Sequence, residues 1–240
     1  MMVYQTFPEG RRKAVTFGFD DGEIHDRRLA EILRQYGLKA TFFLVSGQMG
    51  LTVDPFFRYG RNTRVERVNG GELPLTYAGM EIASHTRFHR LSADSLAEAV
   101  GESMRELKEL SGQPVTGLAY PGGQVDPDVV KGLREMGVLY ARTTGYTHGF
   151  SLPEDLLIWN PTCKYDDSRI EELLTRFLEE EAEEPQLLYI MGHSYEMTQE
   201  SPAADWNAFE SICRRLHGRQ DIWYAANGDL ARWIHTQQAK

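Results

Sequence analysis

The chain has 240 residues, 41% of them hydrophobic and 25% charged, and carries a formal net charge of −9. That is enough for one large domain or two small ones, in the composition range of soluble globular proteins. The acidic balance argues against nucleic acid as a partner, because neutralising phosphates needs surplus Lys and Arg.

Only two cysteines occur, Cys163 and Cys213, so neither a disulfide framework nor a thiolate metal cluster is expected, and at most a single bridge. The run from Met1 to Thr6 has neither the basic nor the apolar stretch of a signal peptide. No run approaches the ~18 apolar residues of a membrane span, so no membrane partner is expected. As given, the sequence reads as cytoplasmic, or as secreted if a leader was removed.

Residues 14–19 read as a short buried strand that runs straight into Asp20-Asp21-Gly22. Residues 23–36 follow as a helix, with Ile24, Leu29, Ile32 and Leu33 on one face and Gly37 as its stop. Residues 39–45 form a second, mostly apolar strand, as expected where both faces are covered. Residues 50–77 break this rhythm and read as a long inserted loop with one helical turn, rich in Gly, Pro and Arg. Between Pro55 and Gly70, Arg58, Arg61, Arg64 and Arg67 are opposed only by Glu66. A loop this long inside a compact domain is usually functional or disordered; it reads as a solvated surface or as the wall of a cleft for acidic or polar substrate.

Residues 80–84 form a third strand, ending at His85. Residues 92–110 are strongly helical, capped by Ser92, with Leu96, Val100, Met104 and Leu107 at helical spacing. A fourth strand at 115–120 ends at Pro121-Gly122-Gly123, a helix spans 127–136, and a fifth strand spans 138–143. A Gly-rich loop containing His148 leads to a sixth strand at 156–160. An acidic helix at 168–184 is stopped by Pro185, and a seventh strand at 187–191 delivers Gly192-His193. A helix at 203–216, a strand at 221–225 and a helix at 229–237 close the chain. This alternation, with no break in composition, predicts a single α/β domain over 1–240 built on a parallel sheet. A closed (β/α)7-8 barrel fits better than an open doubly wound sheet, since no dinucleotide fingerprint or P-loop is present.

Two adjacent carboxylates at the tip of a buried strand cannot both be hidden without partners. A metal, a cation or an open cleft resolves this, as does Asp21 capping the following helix. In such barrels, active groups sit where strands end. Here those ends are Asp20-Asp21, His85, Pro121-Gly122-Gly123, Arg142, Trp159 and His193. His85 and His89 are four apart, so on a helical turn both imidazoles reach one ion. With one carboxylate they make a three-ligand set that leaves an open position, the pattern of catalytic zinc. Zinc or another borderline divalent metal suits these ligands better than calcium or magnesium. His25 and His148 are further candidates for the mouth.

Phe19-Asp20-Asp21-Gly22, Ser84-His85-Thr86-Arg87-Phe88-His89, Ala119-Tyr120-Pro121-Gly122-Gly123 and Leu188-Tyr189-Ile190-Met191-Gly192-His193 occur in this order. Together they resemble the successive motifs of the polysaccharide deacetylase superfamily (the NodB homology domain, carbohydrate esterase family four), over residues 14–233. The resemblance implies a distorted barrel of seven or eight βα units that removes acetyl groups from sugars with a bound divalent metal, zinc first and cobalt or nickel as alternatives. By position it implies Asp21, His85 and His89 as metal ligands, Asp20 as general base and His193 as general acid. It places Tyr120 and Gly122 beside the substrate, with the backbone N–H near Gly122 stabilising an oxyanion.

Two departures stand out. Ala119 stands where the family commonly has an arginine paired with the base, and Arg142, ending the next strand, is the candidate replacement. Gly122 stands where an aromatic often follows the proline, which predicts a more open groove. The fourth motif is degenerate, with Trp159 as the one aromatic available for a wall. The expected partner is an acetylated carbohydrate or a small acyl amide; an amidase on a non-sugar amide and a catalytically inactive carbohydrate-binding barrel are the alternative readings.

Overall fold

The computed structural model describes residues 6–58, 61–198 and 205–238, with side chains throughout these except at 53–58 and 61–64. In chain order the strands are β1 (Lys13–Asp21), β2 (Ala40–Leu44), β3 (Thr52–Arg58), β4 (Arg61–Glu66), β5 (Glu81–Ser84), β6 (Gly117–Ala119), β7 (Tyr140–Arg142), β8 (Cys163–Lys164), β9 (Gln186–Gly192) and β10 (Ile222–Tyr224). The helices are α1 (Asp26–Gln35), α2 (Leu73–Thr76), α3 (Ser103–Ser111), α4 (Pro127–Glu135), α5 (Ile170–Glu179), α6 (Trp206–Leu216) and α7 (Asn227–Gln238).

β1 is the axis of the sheet, and all of its residues are buried. It pairs in parallel with β2 along its C-terminal half, with β9 from Lys13 to Phe19, and with β10 at Lys13–Val15. The sheet runs β7-β6-β5-β2-β1-β9-β8, all parallel, with β10 beside β1. Side chains alternate across a strand. Accordingly Val15, Phe17 and Phe19 pack outward among Leu29, Leu33, Phe177 and Phe209 of the surrounding helices. Ala14 faces inward with Phe43, Ala83, Tyr140, Trp159 and Tyr189. The curled sheet closes through an irregular segment. Trp159 donates to Ala141 O and accepts from Thr143 N, each at 3.0 Å, while Thr162 N donates to Tyr189 O at 2.8 Å. One segment thereby joins β7 to β9, and the result is a distorted barrel in a single domain.

Its floor is a polar network that docks the start of α7. Thr16 Oγ1 donates to Asn227 Oδ1 at 2.8 Å, and Asn227 N donates to Thr41 Oγ1 at 2.9 Å. Gly228 N reaches Glu81 Oε2 at 2.8 Å. Helix α1 stops as its sequence predicts: Gly37 takes φ +65°, Gly37 N donates to Arg34 O and Leu38 N to Leu33 O, a Schellman closure.

Three expectations need correction. Residues 50–77 are not a structureless loop, because β3 and β4 form an antiparallel hairpin there. Its register shifts between Val53 and Phe56, around Pro55, which erases the alternation that would have marked the strands. Arg58, Arg61 and Arg64 have side chains outside the described set, whereas Arg67 is buried. The sixth strand at 156–160 is instead a 3-10 turn, Leu156–Ile158, whose N-cap Asp155 accepts from Leu157 N; the strand proper is the two-residue β8. The 92–110 helix begins with a Ser92–Ser95 capping box and a π-helical turn, Ala97–Glu102, before α3. Cys163 and Cys213 are free buried thiols. Among the described residues no helix is long and apolar enough to cross a membrane.

Candidate functional site

Strand ends converge at the C-terminal mouth on a cavity of about 680 Å³. Asp20 follows the inward alternation of β1, but a regular strand would turn Asp21 outward. The backbone instead bends, with Asp21 at φ +84° and Gly22 at +68°, which brings both carboxylates to the cavity. Positive φ is uncommon for a side-chain-bearing residue and costs of order 1–3 kcal/mol. Thr86 and His89 also adopt it, at +67° and +55°. Three of the five non-glycine residues with positive φ among the described residues are thus at this site, the others being Glu9 and His148.

His85 and His89 do not lie on a helix as their spacing suggested. They sit on a tight loop after β5, held from both sides. Thr86 N donates to Ser84 Oγ at 3.0 Å, and Arg87 N donates to Ala99 O of the π-helical turn at 2.9 Å. Gly47 N in turn donates to Arg87 O, and Arg87 Nη2 lies 2.9 Å from Glu106 Oε1. The two imidazole rings are 4.7 Å apart. One donor atom each from Asp21, His85 and His89 lies within 4.8 Å of the others. His85 Nδ1 donates to Ala119 O at 2.9 Å, which fixes the tautomer and leaves the Nε2 lone pair toward the carboxylates. Burial lowers His85 to about 4, so it is neutral near pH 7. Asp21 Oδ1 is buried without an aligned hydrogen-bond partner among the described residues. Two imidazoles and a carboxylate oxygen without an aligned partner fit a borderline divalent cation.

Asp20 is held by Arg142, whose Nη2 donates to both carboxylate oxygens. Ala119 and Arg142 are register partners across β6 and β7, so the guanidinium arrives at the same height from one strand further along. Arg142 is itself fully buried, with Nη1 donating to Thr143 O at 2.9 Å. Burial alone would raise the Asp20 carboxyl, but Arg142, followed by His85 and His193, outweighs it and holds Asp20 below the usual carboxylate range. His193 Nε2 stands 3.8 Å from Asp20 Oδ2 and 3.9 Å from Asp21 Oδ2. Burial disfavours its charged form, yet Glu196, with Asp21 and Asp20, raises its pKa above the ordinary value.

Tyr120 and Gly122 line the cavity; the Tyr120 hydroxyl donates to Leu157 O at 2.8 Å, and Gly122 takes φ +64°. Trp159 does not form a wall. It is 1% exposed inside the barrel, packed edge-on against Tyr140 and Tyr189, because the segment carrying it closes the sheet. Tyr146, Phe88 and Tyr195 supply the aromatic lining instead. His25 and His148 are not in the lining; His148 pairs with Asp167 at 2.8 Å, and His25 Nε2 lies 3.9 Å from Glu23 Oε1.

Two contacts went unread in the sequence. Glu196 Oε1 lies 3.3 Å from His193 Nδ1, and its Oε2 is 3.0 Å from Lys164 Nζ. The available signal was the His193-x-x-Glu196 spacing just past the last motif. Arg67, brought back by the hairpin to pair with Glu23, donates Nη1 to Asp21 O and stands 3.1 Å from Asp21 Oδ1. Beneath it, Asp26 accepts from Ser194 Oγ at 2.6 Å and from Tyr77 OH at 2.8 Å.

Residues 8–141 match a family model described as polysaccharide deacetylase. No curated protein matches the chain. Among solved structures it is similar to a Mycobacterium smegmatis protein assigned to the polysaccharide deacetylases, with a TM-score of 0.66 at 16% identity over 98% of this chain and 94% of that one. It is similar also to the Xyl-CE4 domain of a multidomain xylanase from the hindgut metagenome of Trinervitermes trinervoides, with a TM-score of 0.58 at 19% identity over 93% and 92%. A family 4 carbohydrate esterase from Streptomyces lividans, solved in complex with acetate, gives 0.55 at 16% identity over 90% and 93%. At these identities the structural likeness is one of fold.

Proposed function

The chain belongs to the polysaccharide deacetylase family, and from that premise we propose that it is a metal-dependent hydrolase removing acetyl groups from an N- or O-acetylated carbohydrate. The observation that carries the reading is the placement of Asp20 and His193, 3.8 Å apart, beside the Asp21–His85–His89 set at one cavity.

Asp21, His85 and His89 would hold the ion, zinc first and cobalt or nickel as alternatives. Such an ion supplies Lewis-acid polarisation of an acyl carbonyl and lowers the pKa of water from about 15.7 toward 7. That acidification matters here. A carboxylate held below its usual range is a weak base and takes no proton from ordinary water.

Asp20 accepts the proton of the attacking water, and Arg142 keeps it ionised and aimed. His193, its pKa raised by Glu196 and the two aspartates, is favoured in its protonated form and hands the Nε2 proton to the departing amine or alcohol. Glu196 faces Nδ1 and holds the ring in the orientation that points Nε2 into the cavity. The backbone N–H near Gly122 stabilises the oxyanion as it forms. Positioned proton transfer of this kind is worth about 10²–10⁴ in rate.

Acetate release from N- and O-acetylated oligosaccharides, compared with small acyl amides, tests the reading before and after chelation. We expect turnover of the sugars, loss on chelation and recovery with zinc, cobalt or nickel. Turnover of amides alone would move the activity to a non-sugar substrate, and metal bound with no acetate from any substrate would mark an inactive barrel.

A further inference from the structure

The cations of this cleft are not equally satisfied. Arg142 is paired with Asp20, Arg67 with Asp21, and Lys164 with Asp166 and Glu196. Arg90 is exposed, and its side chain has neither an ion pair nor a hydrogen bond among the described residues. It follows His89 directly, and its backbone N–H donates to Thr86 Oγ1 at 3.1 Å, which fixes its Cα relative to the three candidate ligands. Arg90 also stands on the ridge between two cavities. It lines the one that holds those ligands and a second, of about 490 Å³, that continues along Ser92, Pro121, Gln124 and Val125. The single acid of that second cavity, Asp126, turns Oδ1 to the N–H groups of Asp128 and Val129, where it caps α4.

The ligand set is itself short of negative charge. Its members are two imidazoles and one carboxylate, and Arg67 already counters that carboxylate at 3.1 Å. A divalent ion there would leave positive charge that its own ligands do not cancel. A concave site with surplus positive charge concentrates anions, and an unpaired guanidinium fork matches carboxylate and phosphate oxygens.

We propose that the substrate is an acetylated sugar chain bearing an oxyanion on or next to the acetylated residue, and that Arg90 receives this group. The proposal rests on the deacetylase reading for the acetyl end of the substrate. A carboxylate and a phosphate ester share the chemistry that Arg90 recognises, so the test includes both.

Three N-acetylated oligosaccharides of equal length, one neutral, one uronate-bearing and one phosphorylated, are titrated calorimetrically into the zinc-loaded protein and into Arg90→Gln and Arg90→Lys. The kcat and KM for acetate release are measured in parallel. The wild type should bind at least one acidic chain about tenfold or more tightly than the neutral chain, as a charge-assisted contact allows. That advantage should shrink as salt rises, approach unity in Arg90→Gln and persist in part in Arg90→Lys. It should fall on KM rather than kcat, and the chain that benefits identifies the anion. Equal binding of neutral and acidic chains by the wild type overturns the proposal, as does an acidic preference that survives Arg90→Gln. If no chain releases acetate while the Arg90-dependent preference holds, the deacetylase reading fails and the anion site stands.

Discussion

Thr16 and Asp20 lie four residues apart on β1 and face the same barrel interior, yet they belong to opposite kinds of polar cluster. At the floor, hydroxyl and amide groups of Thr16, Thr41 and Asn227 satisfy one another, and burial raises the pKa of Glu81, the one carboxyl among them. At the mouth, Asp20 and Asp21 are both held below the usual range and stay charged, although burial works against them. Buried side-chain atoms without aligned partners occur at both ends among the described residues. Asp21 Oδ1, Arg67 Nε, Arg142 Nε and His193 Nδ1 are at the mouth and Arg87 Nε is on the loop after β5, whereas Tyr140 OH is at the floor and Thr116 Oγ1 and Gln186 Oε1 lie at the starts of β6 and β9. Gly18 separates the two, because a Cβ there would sit 2.7 Å from the Tyr189 hydroxyl that crosses the barrel. Polar groups that serve packing reach mutual satisfaction, whereas those that serve chemistry keep charge and strain that folding alone would remove.

If this division is right, mouth variants cost rate and floor variants cost stability. The largest effect is expected from Arg142→Met, which strands a buried carboxylate. It should lose about 3–5 kcal/mol in urea unfolding and about 10²–10⁴ in kcat. Adding Asp20→Asn should restore most of that stability and none of the rate. A double variant that regains activity would remove Asp20 from the mechanism.

Glu196→Gln comes next. Loss of its charge lowers the His193 pKa, so the alkaline limb of the kcat profile should move down by about one pH unit, with kcat at the optimum reduced about tenfold. An unmoved limb would leave Glu196 a merely structural neighbour. At the floor, Asn227→Ala should destabilise the fold by about 1–3 kcal/mol while kcat stays within about twofold. A large loss of kcat in a folded Asn227→Ala protein would erase the distinction between the two clusters.

The smallest effect concerns Asp26, which burial raises to about 8 from the ordinary 3.8. Between those values the folded metal-free protein keeps a proton that the unfolded chain has released, so this group makes stability fall as pH rises. Asp26→Asn should flatten that slope by up to about 1 kcal/mol per pH unit, measured as urea midpoints at pH 5, 6.5 and 8; an unchanged slope would assign it elsewhere.

How much of this was legible follows from where each signal sits. Asp20, Asp21, His85, His89 and His193 are in short contiguous motifs at strand ends, and alternation locates those ends. Arg142 was readable from an absence, because Ala119 cannot pair with Asp20 and the next strand ends in an arginine. Arg67 was singled out only as part of a basic loop, since its approach to Asp21 requires the hairpin to fold back against Glu23. Asp26 resembles any acid in a helix's first turn, and only burial beside Ser194 and Tyr77 distinguishes it. Trp159 misled because its apolar neighbours imitate a strand, whereas Asp155 starts a 3-10 turn there.

The metal-centre reading meets its most direct test in elemental analysis and acetate release on the same preparations of wild type and Asp21→Ala. About one divalent ion per wild-type chain, absent from Asp21→Ala, with acetate release falling in proportion to the ion removed, is the expected result. Full acetate release from metal-stripped wild type, or stoichiometric metal in Asp21→Ala, would contradict it.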